Sequence, residues 1–276
     1  MLLSILIPGK NDNYRSNGSK TLQFNLQKTI QNLKLLNKDD VEVVLCDWGS
    51  EVKITSEIFT EKHKNFRCVY VPPETAKKYN KLANYSIVHP INTAFRNSSG
   101  KYVIFWDSDC YITYESFQKL YTFVQHMNNV DDMKFYWGSR FHIPYEVYTS
   151  MNNTQQIDNF LANKPNLTHD KINVNNFMGC SISILMNRNI WQQSTGWYEE
   201  LTYWGWQDIE FHYRLLKRYG FGGDLEDYGI DFYHLNQRTD GTAHNSKTLY
   251  NAQINSNNFE ANNESWGLVN EKLEIY

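Results

Sequence analysis

The chain has 276 residues, 41% of them hydrophobic, enough to bury the core of one large or two small globular domains. A net charge of -3, an isoelectric point near 6.2 and the absence of a clustered Lys/Arg run exclude the electrostatic footprint of a nucleic-acid or anionic-lipid binder. The densest basic patch, Lys77, Lys78 and Lys81, reads as a solvated face.

The opening run Met1–Pro8 lacks a basic leader and is too short to span a bilayer, so it is expected as a first strand over Leu2–Ile7, with no transmembrane segment. A loop from Gly9 leads to a helix over Thr21–Leu36, where Leu22, Leu26, Ile30 and Leu33 recur at helical spacing. Val41–Cys46 is a second strand closed by Asp47-Trp48-Gly49-Ser50, followed by a helical pattern through Glu51–His63 and a third strand, Arg67–Val71, stopped by Pro72-Pro73. A helix over Ser86–Asn97 feeds the strand Tyr102–Trp106. Further on, Tyr114–Met127 reads as a helix, Lys134–Trp137 as a strand, the Asn-rich 151–176 stretch as a loop-dominated insertion or lid, and Phe177–Met186 as a strand. Alternating strands and helices predict an α/β fold with a mostly parallel central sheet and flanking helices. The four cysteines, Cys46, Cys68, Cys110 and Cys180, show no paired short spacing and are expected to be buried thiols in a reducing, cytoplasmic compartment.

The most informative stretch is Tyr102-Val103-Ile104-Phe105-Trp106-Asp107-Ser108-Asp109. Its continuous apolar run fits a strand buried on both faces, and it ends in two carboxylates at the sheet edge, where open α/β folds bind ligands. A hard divalent cation, Mn²⁺ or Mg²⁺, suits such a pair, because it takes one or two protein carboxylates and completes its shell with water and substrate phosphates. The competing reading is a polar turn with Asp109 as a helix cap. There is no G-x-G-x-x-G or Walker loop, which argues against a dinucleotide enzyme and a P-loop nucleotidase.

The second informative stretch runs from Gly196 to Glu210. Asp208 and Glu210 open a helix that ends at Lys217-Arg218 before Gly220, and acids in a first turn suit the helix dipole whatever else they do. The dipole does not explain Tyr203, Trp204 and Trp206 around Gly205, a natural platform for a sugar ring. Gly229–His234 is another short strand; His234 is either a structural hydrogen bonder or a third metal ligand, and His244 is a weaker candidate. The remainder to Tyr276 is expected to run over the surface, ordered where Tyr250, Phe259 and Trp266 pack.

Together these motifs resemble a glycosyltransferase of the GT-A fold. Ser4–Pro8 resembles the opening strand of glycosyltransferase family 2, Asp47-Trp48-Gly49-Ser50 its Asp-Asp-Gly-Ser turn, and Asn92 to Asp109 its run into an Asp-x-Asp motif. Gly196 to Glu210 is similar to the C-terminal region of galactosyltransferase family 7 and of chondroitin-type polymerases.

The resemblance implies one GT-A domain over 1–245, with a nucleotide-sugar half (1–109), an acceptor and catalytic half (110–245), and a C-terminal surface extension (246–276). It implies an inverting, metal-dependent transfer from a UDP-sugar to a hydroxyl of a glycan or glycoconjugate acceptor, with membrane contact only through that acceptor. Pro8, Asp47, Asn92, Arg96, Trp106 and Asp107 would hold the donor; Asp107, Asp109 and His234 the metal; Asp208 would be the base; Trp204, Trp206 and Glu210 would meet the acceptor. Trp48 in place of the second acid, Gly9-Lys10 in place of Thr-Tyr and Gln207 in place of Glu depart from the pattern. The alternatives are a retaining transferase of the polypeptide N-acetylgalactosaminyltransferase type, a nucleotidyltransferase, and a non-catalytic carbohydrate-binding relative.

Overall fold

The computed structural model describes residues 1–12, 17–81, 83–171, 183–202, 205–236, 247–255 and 258–276. The chain starts with β1 (Leu3–Gly9), α1 (Gly18–Leu36), β2 (Val41–Trp48), the single turn α2 (Ile54–Glu57), β3 (Phe66–Val71), α3 (Pro73–Asn80), α4 (Val88–Arg96) and β4 (Tyr102–Trp106). Next come β5 (Cys110–Tyr111), α5 (Tyr114–Asn129), β6 (Phe135–Gly138), β7 (Arg140–Ile143), α6 (Tyr145–Thr149), α7 (Thr154–Ala162) and β8 (Thr168–Asp170). The last group is β9 (Ser183–Asn187), α8 (Arg188–Gln193), α9 (Gln207–Leu216), β10 (Phe221–Asp224), a 3₁₀ turn at Leu225–Tyr228, β11 (Phe232–Leu235), α10 (Lys247–Asn255) and β12 (Glu274–Ile275).

Among the described residues the strands form an eight-stranded sheet ordered β10-β6-β9-β4-β1-β2-β3-β12 and a four-stranded sheet ordered β5-β11-β7-β8. In the large sheet β9 and β12 run against their neighbours and the other strands are parallel. The reason the central strands read as unbroken apolar runs is visible in β4. Tyr102, Ile104 and Trp106 enter the core under α1 and α5, while Val103 and Phe105 enter the core under α4, α8 and α9. Register pairs Gly9 with Asp47, so the loops leaving β1 and β2 share one edge with the acid-tipped end of β4.

Three expectations change. The helix expected over Glu51–His63 is only α2, because Ile58 and Phe59 both turn their N–H groups onto the Ile54 carbonyl and Phe59 folds inward against Phe66. β3 does end before Pro72-Pro73, but the segment beyond it, where no helix was expected, forms α3, which Pro73 starts at the position where its missing N–H costs nothing. The stretch expected to be loop-dominated carries α7, capped by the Asn153 side chain and bolted to α1 by the Thr154–Gln31 hydrogen bond and the Lys28–Asp158 ion pair. Its Asn-rich composition hides the buried pair Ile157 and Leu161.

The C-terminal segment lies along the outside of α4. Trp266 inserts against Phe95 with the Arg96 guanidinium 3.9 Å over its ring, and β12 extends the sheet beyond β3. Cys46, Cys68 and Cys110 are buried and free; Cys180 lies outside the described residues.

Candidate active site

The acid tip is where the two sheets meet. Asp107-Ser108-Asp109 leaves β4 and enters β5 through a tight turn closed by the Cys110 N–H on the Asp107 carbonyl at 3.0 Å. β11 lies antiparallel to β5 with His234 opposite Cys110, which brings the His234 imidazole to Asp109, Nε2 to Oδ2 3.2 Å. β7 lies parallel to β11 with His142 opposite His234, and Arg140 shares the His142 face because strand side chains alternate. Both histidines place Nδ1 2.7 Å from Asn236 Oδ1; His142 Nε2 meets Asp170 at 2.8 Å, and Arg140 Nη2 meets the same carboxylate at 3.1 Å.

Charge ties this tip to α9. Burial raises the Asp107 carboxyl well above its usual range and the Asp109 charge adds to that; His234 and Arg140 pull it back and Asp208 pushes it further up. Asp208, in the first turn of α9, is also raised by burial, against hydrogen bonds from its own and the Ile209 N–H and the charge of Arg140. Asp107 therefore feels Asp208, and both feel Arg140. Neither acid is sealed from solvent, each being half-buried, whereas Asp109 is 5% exposed. Burial alone would lower the His234 imidazole, but the charge and hydrogen bond of Asp109 outweigh it and the net shift is upward.

The donor set fits a hard divalent cation. With its proton on Nδ1, donated to the Asn236 carbonyl oxygen, His234 would turn Nε2 to a cation shared with Asp109, the arrangement in which a carbonyl orients a ligating imidazole. Neighbouring ligands of an octahedral cation lie about 3 Å apart, which matches the 3.2 Å between Nε2 and Oδ2. Among the described residues no group of three or more His, Cys, Asp or Glu side chains is gathered for a metal ion, so the expected trio Asp107, Asp109 and His234 is not assembled as such and only the Asp109–His234 pair is in contact.

On the nucleotide side, Asp47 is fully buried and its carboxylate is occupied. It accepts from the Ser50 hydroxyl and, at 2.8 Å, from the Ile54 N–H that opens α2. Burial pushes its carboxyl up to about 6. Ser50 Oγ in turn accepts the Asn11 N–H at 2.7 Å, so the pair joins the loops after β1 and β2, with Pro8 buried beneath. Trp48 faces the other core, donating to Asn80 at 2.8 Å and stacking on His89. Tyr85, half-buried, feels the charges of Asp12, Asp107 and Asp47 and stands at the shared edge of the three strand tips.

Four expected site residues are not brought to this cleft. Asn92 is fully buried and forms a two-way bond with Trp197, donating to its carbonyl at 2.8 Å and accepting its N–H at 2.9 Å, which latches α4 to the segment before α9. Arg96 anchors the Trp266 carbonyl and ring. Trp106 is core, against Phe117 and Phe232. Glu210 is fully buried against Arg214, whose remaining N–H groups hold the Ser194, Gly196 and Phe259 carbonyls.

On the acceptor side Trp206 is half-buried, its ring 5.2 Å from Tyr250 of α10, and Tyr250 feels the Asp208 charge. Trp204 and His244 lie outside the described residues. Sequence reasoning missed Asn25, Tyr85, Arg140, His142, Asp170 and Asn236. Two signals were present: a polar stripe at 25, 29 and 32 beside the apolar stripe of α1, and the alternation Arg140-Phe141-His142.

No curated protein matches the chain. Among solved structures, S. aureus TarS 1-349 in complex with UDP-GlcNAc superposes with a TM-score of 0.53 at 14% identity, covering 92% of this chain and 64% of that one. The same protein in complex with UDP gives 0.50 at 17% identity, covering 78% and 54%. The chain thus spans between about half and two thirds of TarS 1-349, and the likeness is one of fold. The family model described as "Glycosyltransferase like family 2" matches residues 16–223, well over half of the sequence. With its large, mostly parallel sheet and acid-tipped central strand, the chain belongs to glycosyltransferase-like family 2 and has the GT-A fold.

Proposed function

We propose that this chain transfers a sugar from a UDP-sugar to a hydroxyl of a carbohydrate or glycoconjugate acceptor, with inversion at the anomeric carbon and with the help of a divalent cation. The observation that carries this reading is that β11 brings His234 to Asp109 at the tip of β4, Nε2 to Oδ2 3.2 Å, while Asp208 on α9 lies near enough for its charge to act on Asp107. The structures of the S. aureus protein with UDP and UDP-GlcNAc support a uridine diphosphate donor. The donor and acceptor halves divide at Asp109.

Asp109 and His234 would hold the cation with Asp107 beside them, and its charge would neutralise the diphosphate oxygens of the bound donor. The chain's own residues do the rest. Asp208 accepts the proton of the acceptor hydroxyl as that oxygen bonds to the anomeric carbon and the bond to the diphosphate breaks, so UDP departs as an anion needing no proton. Burial raises Asp208 above an ordinary carboxylate and makes it a stronger base, while the Ile209 and Asp208 N–H groups and the Arg140 charge oppose that rise. Trp206 and Tyr250 offer apolar ring faces to the acceptor sugar beside that base. The likeness of Gly196 to Glu210 to family 7 galactosyltransferases supports Asp208 as the base, and Glu210 falls outside that role. No helix among the described residues is long and apolar enough to cross a membrane, so any membrane contact is assigned to the acceptor.

The test is incubation with a panel of UDP-sugars, Mn²⁺ and glycan acceptors, followed by proton NMR of the first-formed product. A β-linked product from an α-linked donor supports the proposal; an α-linked product, or no UDP release from any donor, contradicts it.

A further inference from the structure

The Asp107-Ser108-Asp109 turn is held from outside by a helix the sequence motifs never touch. Asn25, on the inner face of α1 and 1% exposed, donates from Nδ2 to the Asp107 carbonyl at 2.9 Å and to the Ser108 carbonyl at 3.2 Å. Thr29, one turn along, donates from its hydroxyl to Asn25 Oδ1 at 3.1 Å and so fixes which way the amide faces. The third carbonyl of the turn, that of Asp109, accepts the Leu235 N–H at 2.9 Å from β11, the strand that carries His234. All three carbonyls of the turn are therefore anchored, two of them by one side chain.

We propose that Asn25 is a positioning residue for the acid tip, setting the direction of the Asp107 and Asp109 carboxylates toward the cation and diphosphate, with Thr29 locking it. This rests on the reading of the cleft given above and deepens it. A strand end followed by a short turn has few backbone constraints of its own. Partners that orient ligating groups in this way change metal affinity or activity by about 10- to 100-fold when removed.

The same helix supplies a matched control. Asn32, two turns further along, fully buried, donates in the same manner to the Ile112 carbonyl at 3.0 Å, downstream of the acid tip. Asn25→Leu and Asn32→Leu each remove a buried amide from the inner face of α1, with two donated bonds at Asn25 and one at Asn32, so a merely structural role predicts losses of the same order in the two variants. Two readouts separate the roles. Hydrogen exchange at the Cys110 amide, which closes the turn on Asp107, should be about tenfold faster in Asn25→Leu and unchanged in Asn32→Leu. Calorimetric titration of UDP in the presence of graded Mn²⁺ should show half-saturating Mn²⁺ raised about 10- to 100-fold in Asn25→Leu and less than about twofold in Asn32→Leu.

Thr29→Val keeps the amide but frees it to rotate, and should move both readouts in the same direction by a smaller factor, which keeps the test open if Asn25→Leu does not fold. Equal shifts in the two asparagine variants, or Cys110 exchange unaffected by both Asn25→Leu and Thr29→Val, overturn the assignment. A wild-type protein that binds neither Mn²⁺ nor UDP refutes the proposed function, while the exchange experiment still decides the role of Asn25.

Discussion

Two acid pairs at the same spacing, Asp107 with Asp109 and Asp208 with Glu210, are used by the fold in opposite ways. The first pair sits on a tight turn at a sheet edge, with Asp107 half-buried and Asp109 turned to His234 of the second sheet. The second pair sits in the first turn of α9, where each residue advances about 100° and two residues therefore point about 200° apart. Asp208 faces the cleft and Glu210 faces the core, with Arg214 one turn on in line with it. Identical spacing thus means a shared site on a turn and divided labour on a helix.

The sharpest way to break this contrast is to neutralise one member of the helical pair at a time. Asp208→Asn should lower turnover by about 10²–10⁴-fold, the usual contribution of a general base, with UDP affinity within a few-fold of wild type. Steady-state kinetics beside calorimetric UDP binding checks both halves; normal turnover would reassign the base. Glu210→Ala should instead act on stability. It strands a buried guanidinium, which costs about 3–5 kcal/mol in urea unfolding, and molecules that remain folded should keep their acceptor KM. A raised acceptor KM at unchanged stability would return Glu210 to the acceptor site.

A smaller effect separates Asp47 from the acid tip. Its carboxyl is raised to about 6, from 3.8 in the unfolded chain, so the folded protein holds that proton more tightly. The stabilisation is fully present below about pH 4 and is lost as pH rises through about 6, by no more than about 3 kcal/mol. Thermal unfolding of wild type against Asp47→Asn from pH 7 to pH 4 should therefore shift in favour of the wild type as pH falls. A constant difference across that window would show that Ser50 and Ile54 hold Asp47 ionised.

Much of the fold was legible because the central strands are buried on both faces and announce themselves as apolar runs, and because their polar ends fall together in a parallel sheet. Asp107, Asp109, His234 and Asp208 stood out in the sequence for the same reason, as polar residues abutting patterned segments, and of these His234 and Asp109 are in contact. What escaped was information that only tertiary register supplies. β7 and β8 are too short and polar to be read as strands, so Arg140, His142 and Asp170 could not be placed opposite His234. Asn92 and Glu210 were misassigned because a motif position does not say whether a polar side chain turns outward to a ligand or inward to a carbonyl or a guanidinium. α7 was hidden by the asparagines that flank it and by Gln155, Gln156 and Asn159 on its solvent side.

The central claim is that the tip of β4 and the start of α9 are two walls of one cleft holding a cation-bound diphosphate. Anomalous diffraction from crystals grown with Mn²⁺ and UDP tests it most directly. The account predicts a manganese peak bridging Asp109 and His234, with the diphosphate beside it and Asp208 facing the open side. A peak elsewhere, or a diphosphate walled off from Asp208 by protein, would contradict it.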